Sequence, residues 1–142
     1  LSAIPERQVT VDCDVIQADG GTRTASICGG FIALHDAFTR MISAGQMAEH
    51  PITEELAAVS VGVVDGEVCL DLPYVEDSTA EVDLNVVMTS SGKFVEVQGT
   101  AEDGPFERKS LEEMLDAAEI GIKEITEAQR NLLSSPPVDR SN

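Results

Sequence analysis

The dipeptide Asp65-Gly66 constrains the fold of this chain more than any other local feature. It separates two runs rich in valine and other apolar residues, residues 57–64 and 67–72. Asp-Gly readily adopts the positive backbone φ angles of a two-residue type I′ turn, and such turns join antiparallel strands. The sequence therefore predicts a β-hairpin over residues 57–72.

A second hairpin is predicted further along the chain. Residues 83–89 and 93–99 are β-rich and flank the turn sequence Ser90-Ser91-Gly92. The first of these runs places Leu84, Val86 and Met88 on one face, since side chains alternate along a strand. Together the two hairpins predict four strands in the middle of the chain.

Helical periodicity marks the regions on either side of the hairpins. Gly45 is expected to end a first helix, which starts near residue 24 and has its apolar face at Ile27, Phe31, Leu34, Phe38 and Met41. A capping box, Ser110 with Glu113, is expected to begin a second helix that fades near Leu133. Its apolar stripe consists of Leu111, Met114, Leu115, Ala118, Ile122 and Ile125. Gly29 and Gly30 in the first helix predict close packing against a neighbouring element.

An additional strand is predicted over residues 7–16, on the alternation of apolar and polar residues at Val9, Val11, Cys13 and Val15. The resulting order of strand, helix, four strands and helix indicates the α+β class. The folded domain is expected to span residues 1–133. Residues 134–142 form a polar tail that is expected to be disordered.

The charge of the chain bears on its partners. Nine Lys and Arg against 26 Asp and Glu give a formal net charge of −17, and Arg40 is the only basic residue between Arg23 and Lys93. Affinity for a phosphate backbone grows with the number of cations that contact it. The chain alone is therefore expected to bind nucleic acid poorly. Either it is an acidic protein unrelated to RNA, or the RNA is held by parts outside this chain.

The expected location is the cytoplasm. No apolar run approaches the roughly 18 residues of a membrane span, so no membrane association is expected. The N-terminus lacks the basic and apolar regions of a secretion signal. Three cysteines, Cys13, Cys28 and Cys69, contain no Cys-x-x-Cys pair. This pattern fits a reducing compartment better than a disulfide framework or a zinc site.

The first candidate site is the turn Asp19-Gly20-Gly21-Thr22-Arg23 before the first predicted helix. Glycines let the backbone approach a ligand closely, and a helix start offers free N–H groups with a partial positive charge. Thr22 adds a hydroxyl group, and the forked guanidinium of Arg23 suits phosphate. The same residues also fit an ordinary turn between a strand and a helix, and composition alone does not decide between the two.

The second candidate site is a stretch in which five carboxylates fall within residues 71–83: Asp71, Glu76, Asp77, Glu81 and Asp83. Magnesium prefers oxygen ligands and is commonly bound by one or two carboxylates together with water and substrate phosphate. Asp77 and Asp83 flank a loop and could converge on one ion. The alternative is a solvated acidic loop, which is common in a chain of this charge.

Four segments, taken in order, resemble the second half of the ribonuclease PH family. They are Val11 to Ala25 with the motif Asp-Gly-Gly-Thr-Arg-Thr, Ala58-Val59-Ser60-Val61-Gly62, Asp77-Ser78 with Asp83 to Thr89, and Val97-Gln98-Gly99-Thr100-Ala101-Glu102. The resemblance runs from about Pro5 to Gln129. It implies the fold of the second domain of ribosomal protein S5, incomplete here at the N-terminus. In this family the first half carries most of the basic residues that contact RNA, so we expect that half to come from another chain or to have been lost by truncation.

The resemblance also implies an activity. Members of the family are phosphate-dependent 3′-to-5′ exoribonucleases, or tRNA nucleotidyltransferases, that trim tRNA precursor 3′ ends and release nucleoside diphosphates. By this resemblance Gly21, Thr22 and Arg23 would hold inorganic phosphate, the co-substrate, while Asp77 and Asp83 would bind Mg²⁺ or Mn²⁺ and serve catalysis. The implied assembly is a ring of six subunits. The alternative is a non-catalytic scaffold module of such a ring.

Overall fold

A computed structural model of the chain describes residues 4, 8–102 and 104–137. The elements, in chain order, are α1 (Thr22–Ser43), β1 (Leu56–Val64), β2 (Glu67–Leu70), α2 (Tyr74–Asp77), β3 (Val82–Thr89), β4 (Phe94–Ala101) and α3 (Arg108–Leu133). The four strands form one antiparallel sheet in the order β2-β1-β3-β4. Helices and an antiparallel sheet in separate parts of the chain confirm the predicted α+β class.

Both predicted hairpins are present. Asp65 and Gly66 have φ angles of 51° and 77°, as a type I′ turn requires, and Val64 pairs with Glu67 on either side of them. The second hairpin joins β3 to β4, with an irregularity in the register at Val87 and Met88. The predicted face of β3 is correct, because Leu84, Val86 and Met88 are all buried in the core.

Helix α3 packs on one face of the sheet, whereas α1 begins on the other face and also contacts α3. Alternate residues of β1, from Ala57 to Val63, pack in the core with Met114, Ala118 and Ile122 of α3. The residues between them face the start of α1, since a Cβ atom added at Gly21 would lie 3.2 Å from Ser60 Oγ. Further along α1, Cys28 exchanges hydrogen bonds with the backbone of Ala58, at 3.2 and 3.3 Å, on the edge of β1 that β2 leaves unpaired. The apolar stripe predicted for the C-terminal helix is therefore the side that α3 turns to the sheet.

The start of α3 differs from the prediction. The helix begins at Arg108, after Glu107, and the Glu107 side chain forms no capping hydrogen bond. Ser110 lies inside the first turn, and Glu113 pairs with Lys109 at 3.1 Å instead of reaching back to a cap. The capping-box prediction was wrong: the helix begins three residues earlier, and the ion pairs Arg108–Glu112 and Lys109–Glu113, each one helical turn apart, stabilise this added turn. The predicted end near Leu133 is confirmed.

The predicted strand over residues 7–16 is absent from the described part of the chain, which begins this segment at residue 8. A strand needs a neighbour to complete its hydrogen-bond ladder, and here the segment lies beside a helix instead. Cys13 donates a long hydrogen bond, 3.8 Å, to the carbonyl oxygen of Ser26 in α1. A Cβ atom added at Gly30 would lie 3.2 Å from Val11 Cγ1, whereas one added at Gly29 would meet nothing within 4 Å. Close packing was thus predicted correctly at Gly30 and wrongly at Gly29.

Hydrogen bonds connect the end of α3 to the start of β1. Arg130 Nε lies 2.9 Å from Glu55 Oε1, and this hydrogen-bonded pair lowers the pKa of Glu55 to about 2. Gln129 Nε2 donates to the carbonyl oxygen of Leu56 at 3.1 Å. Of the predicted disordered tail, residues 138–142 lie outside the described residues, so this stays a prediction. No helix in the described residues combines the length and apolar character needed to cross a bilayer.

Substitution of Ile122 tests the packing of α3. Ile122 is 2% exposed in the core, whereas Ile120 on the same helix is 58% exposed. We expect Ile122→Ala to lower the free energy of unfolding by about 2–5 kcal/mol, because it leaves a cavity under the sheet. The matched control Ile120→Ala is expected to change it by about 0.5 kcal/mol or less. Urea denaturation followed by circular dichroism measures both, and equal losses would contradict this packing.

Candidate active site

Asp19 connects the two segments in which candidate site residues were predicted. Its Oδ1 atom accepts hydrogen bonds from the backbone N–H of Tyr74, at 2.6 Å, and from that of Gly20, at 2.8 Å. These bonds hold the pKa of Asp19 below its ordinary value, and the bond from Tyr74 has the larger effect. The ionised carboxylate therefore ties the turn before α1 to the first residue of α2.

Close backbone packing completes this connection. A Cβ atom at Gly20 would lie 1.9 Å from the carbonyl oxygen of Leu72, so the turn can approach the loop only with glycine at this position. Ser60 of β1 contacts the same loop, since its hydroxyl accepts a hydrogen bond from the backbone N–H of Leu72 at 3.2 Å. The glycine turn and the acidic loop are thus parts of one surface.

The start of α1 has backbone N–H donors without protein partners. Gly21 precedes the helix with a φ of 68°, and no side chain caps it. The first helical hydrogen bond runs from the N–H of Ala25 to the carbonyl oxygen of Gly21. The N–H groups of residues 22–24 therefore have no hydrogen-bond partner among the described residues. Three such donors and the helix dipole favour a bound anion.

The side chains of the predicted phosphate ligands are engaged within the protein. Thr22 donates its hydroxyl proton to the carbonyl oxygen of Asp19 at 2.8 Å. Arg23 Nη2 lies 2.8 and 2.9 Å from the two carboxylate oxygens of Glu96, on β4. Both members of this ion pair are partly exposed, 48% for Arg23 and 41% for Glu96. Sequence reasoning missed Glu96, which is 73 residues away along the chain.

Asp83 and Asp77 occupy one end of the same surface. Asp77 is the last residue of α2, and Asp83 is the second residue of β3, paired with Gly62 and Thr100. Burial raises the pKa of Asp83, and the nearby charges of Asp77 and Glu102 raise it further. Its Oδ1 atom is buried and has no hydrogen-bond partner within the described structure. An unpaired buried carboxylate oxygen beside a second carboxylate is suited to a cation.

The donor set fits one kind of metal. A cleft beside β3 is lined by Asp77, Asp83 and Glu102, with Ser78, Thr79 and Ala80. Considering only described residues, no group of three or more His, Cys, Asp or Glu side chains is placed to hold a metal. Two carboxylates suit Mg²⁺ or Mn²⁺, which complete their shells with water and substrate oxygens. Sequence reasoning missed Glu102, which lies three residues beyond the end of the predicted second hairpin.

The register of the sheet relates the two ends of the surface. On the face that α1 covers in part, Val87 pairs with Glu96, Asn85 with Gln98, and Asp83 with Thr100. Two residues along a strand separate each pair from the next, which corresponds to about 7 Å. The amide side chains of Asn85 and Gln98 therefore lie between the Arg23–Glu96 pair and Asp83.

A pair of glycine substitutions tests the contact between the turn and the loop. Gly20→Ala is expected to lower the free energy of unfolding by about 1–3 kcal/mol or more, because the new methyl group would collide with the Leu72 carbonyl. Gly29→Ala is the control and is expected to stabilise the chain by about 0.5–1 kcal/mol, since it adds a helix-favouring residue in open space. Both are measured by urea denaturation. A Gly20→Ala chain as stable as the wild type would show that the turn and the loop are not in contact.

Comparison with known proteins identifies relatives of this chain. Residues 55–121 match the family described as 3′ exoribonuclease family, domain 2. Ribonuclease PH of Corynebacterium kroppenstedtii is 55% identical over 136 residues, which are 96% of this chain and 54% of that protein. The crystal structure of rice (Oryza sativa) Rrp46 superposes with a TM-score of 0.65 at 19% identity, over 84% of this chain and 51% of that one. The chain spans about half the length of these relatives. The predicted resemblance is confirmed: the chain is related to the C-terminal part of ribonuclease PH, and its α+β fold is of the ribonuclease PH type.

Proposed function

We propose that this chain forms the phosphate-binding and metal-binding part of a phosphorolytic 3′-to-5′ exoribonuclease. The observation that carries the proposal is the hydrogen bond from Tyr74 to Asp19, which holds the open helix start against the acidic loop. An anion site and a cation site on one surface are what a phosphate-dependent cleavage requires. The 55% identity to a ribonuclease PH supports the same activity.

The chemistry explains why both sites are needed. In phosphorolysis an oxygen of inorganic phosphate attacks the last phosphodiester of RNA, the bond to the preceding 3′ oxygen breaks, and a nucleoside diphosphate leaves. Both reactants are anions, so the protein must position them and neutralise their charge. Gly21, Thr22 and Arg23 would hold the attacking phosphate at the start of α1.

Asp77 and Asp83 would hold the metal ion. When bound, Mg²⁺ or Mn²⁺ would neutralise charge on the scissile phosphate and the leaving oxygen. The protein contributes the two carboxylates, one of them with an unpaired buried oxygen, and it fixes Asp83 on a central strand of the sheet. A ligand on a strand is positioned more rigidly than one on a loop.

The proposed substrate is the 3′ end of tRNA precursors, and the proposed assembly is a ring of six subunits in the cytoplasm. These follow from the resemblance to ribonuclease PH. With a net charge of −17, the chain has too few cations to hold an RNA strand by itself. We therefore assign most RNA contacts to protein surfaces outside this chain, in keeping with relatives of about twice its length.

A second candidate function is that of a non-catalytic scaffold module in a ribonuclease PH-like assembly. One observation favours it: Glu96 already neutralises Arg23, the basic side chain at the anion site. A scaffold would bind neither phosphate nor Mg²⁺ with useful affinity. The two functions are therefore separated by the following predictions.

Asp83→Asn tests the metal site. Millimolar Mg²⁺ should raise the Tm of the wild-type chain, since an ion that binds only the folded state adds about 1.4 kcal/mol at ten times its Kd. The Asp83→Asn chain should not respond. The control Glu67→Gln removes one negative charge on the exposed edge strand β2 and should respond like the wild type. In an active assembly, Asp83→Asn should abolish phosphorolysis and leave the oligomer intact in light scattering. Dissociation into monomers would make Asp83 a structural residue.

Arg23→Ala tests the phosphate site in an active assembly. The KM for inorganic phosphate should rise about tenfold or more, because a charge-assisted hydrogen bond to phosphate is lost. The measurement is the initial rate of nucleoside diphosphate release from a tRNA precursor at increasing phosphate concentration. An unchanged KM would remove Arg23 from the phosphate site.

A further inference from the structure

We propose that Glu96 is a latch on Arg23, and that inorganic phosphate binds this chain by displacing the Glu96 carboxylate. The inference rests on the proposed phosphate site and concerns its regulation. Glu96 is a positioning residue in this account, because it acts through Arg23 and does not contact the substrate. Three observations carry the argument: the geometry of the pair, its place on the sheet, and the charge balance at the start of α1.

The geometry of the Arg23–Glu96 ion pair allows the pair to break. Both hydrogen bonds to Glu96 leave from Nη2 of Arg23, at 2.8 and 2.9 Å. The Nε and Nη1 atoms of Arg23 have no hydrogen-bond partner in the described part of the chain. Since both side chains are partly exposed to solvent, the ion pair is of the weak, screened kind. A stronger ligand for the guanidinium group can therefore replace Glu96 at small cost.

The position of Glu96 draws Arg23 away from the metal-binding end of the surface. Glu96 pairs with Val87, and Asp83 lies four residues from Val87 on the same strand. At about 3.4 Å per residue this separates Glu96 from Asp83 by about 14 Å along the sheet. While Arg23 is paired with Glu96, its guanidinium group therefore lies away from the place where the attacking phosphate would meet the metal. Release of Arg23 from Glu96 would let its guanidinium move toward that place.

The charge balance identifies the ligand that opens the latch. While Arg23 is paired, the start of α1 offers backbone N–H groups but, among the described residues, no uncompensated side-chain cation. A monovalent anion is attracted to Arg23 no more strongly than the Glu96 carboxylate already is. Phosphate at neutral pH carries up to two negative charges, and it can use the N–H groups of residues 22–24 together with Arg23. The latch therefore favours phosphate over monovalent anions such as chloride or acetate.

The test is a titration of the isotope-labelled 142-residue chain with inorganic phosphate, read from the backbone amide NMR signals of residues 21–24. We expect Glu96→Gln to lower the phosphate Kd by about fivefold or more, the factor for one unit-charge pair 4 Å apart in water. Glu96→Ala should lower it at least as far, because no side-chain acceptor remains. The control Glu67→Gln changes the net charge equally and should leave the Kd unchanged. Thermal unfolding of each variant verifies that the fold is retained.

Three results would overturn the latch. If phosphate shifts these signals in the wild type and Arg23→Ala removes the shifts, but Glu96→Gln binds phosphate no more tightly, the latch is wrong and the phosphate site stands. If neither the wild type nor either Glu96 variant shows shifts at the start of α1, the proposed phosphate site is wrong and the latch falls with it. If Glu67→Gln lowers the phosphate Kd equally, the effect comes from the net charge of the chain. That result would also contradict the latch.

Discussion

The carboxylate of Asp19 is the interaction on which the candidate site depends. One oxygen atom receives backbone hydrogen bonds from the turn that carries it and from the loop 55 residues further along the chain. Without this bond, the start of α1 and the acidic loop would be separate surface features, each of an ordinary kind. The lowered pKa of Asp19 means that the carboxylate stays ionised to a lower pH than an ordinary aspartate would.

The two faces of the sheet carry residues with different roles. One face carries the apolar residues that pack under α3, and the alternate positions on the other face carry Ser60, Asp83, Asn85 and Glu96. Since strand residues alternate between faces, the register of the two hairpins determines both sets at once. A shift of one residue in β3 would bury Asp83 in the core and expose Leu84. The core therefore fixes the positions of the polar residues opposite it.

Local sequence patterns predicted most of the fold. The turn at Asp65-Gly66 and the apolar stripe of α3 need only neighbouring residues to be recognised, and both were correct. The strand predicted over residues 7–16 needed a partner strand that local alternation cannot supply. The site was harder still. Gly21 to Arg23, Asp77 and Asp83 were assigned through family resemblance, whereas Glu96 and Glu102 became visible only when the sheet brought distant segments together.

The central claim is that the acidic loop and the start of α1 form one site, and paramagnetic Mn²⁺ tests it most directly. Substoichiometric Mn²⁺ bound at Asp77 and Asp83 should broaden the amide NMR signals of residues 77–83 most strongly, and those of residues 20–24 next. The turn at residues 90–92, at the opposite end of β3, should keep its signals, and Asp83→Asn should abolish the selective loss. Strongest broadening on the exposed acidic face of α3, around Glu112 and Glu119, would show scattered binding to an acidic surface and would contradict the account.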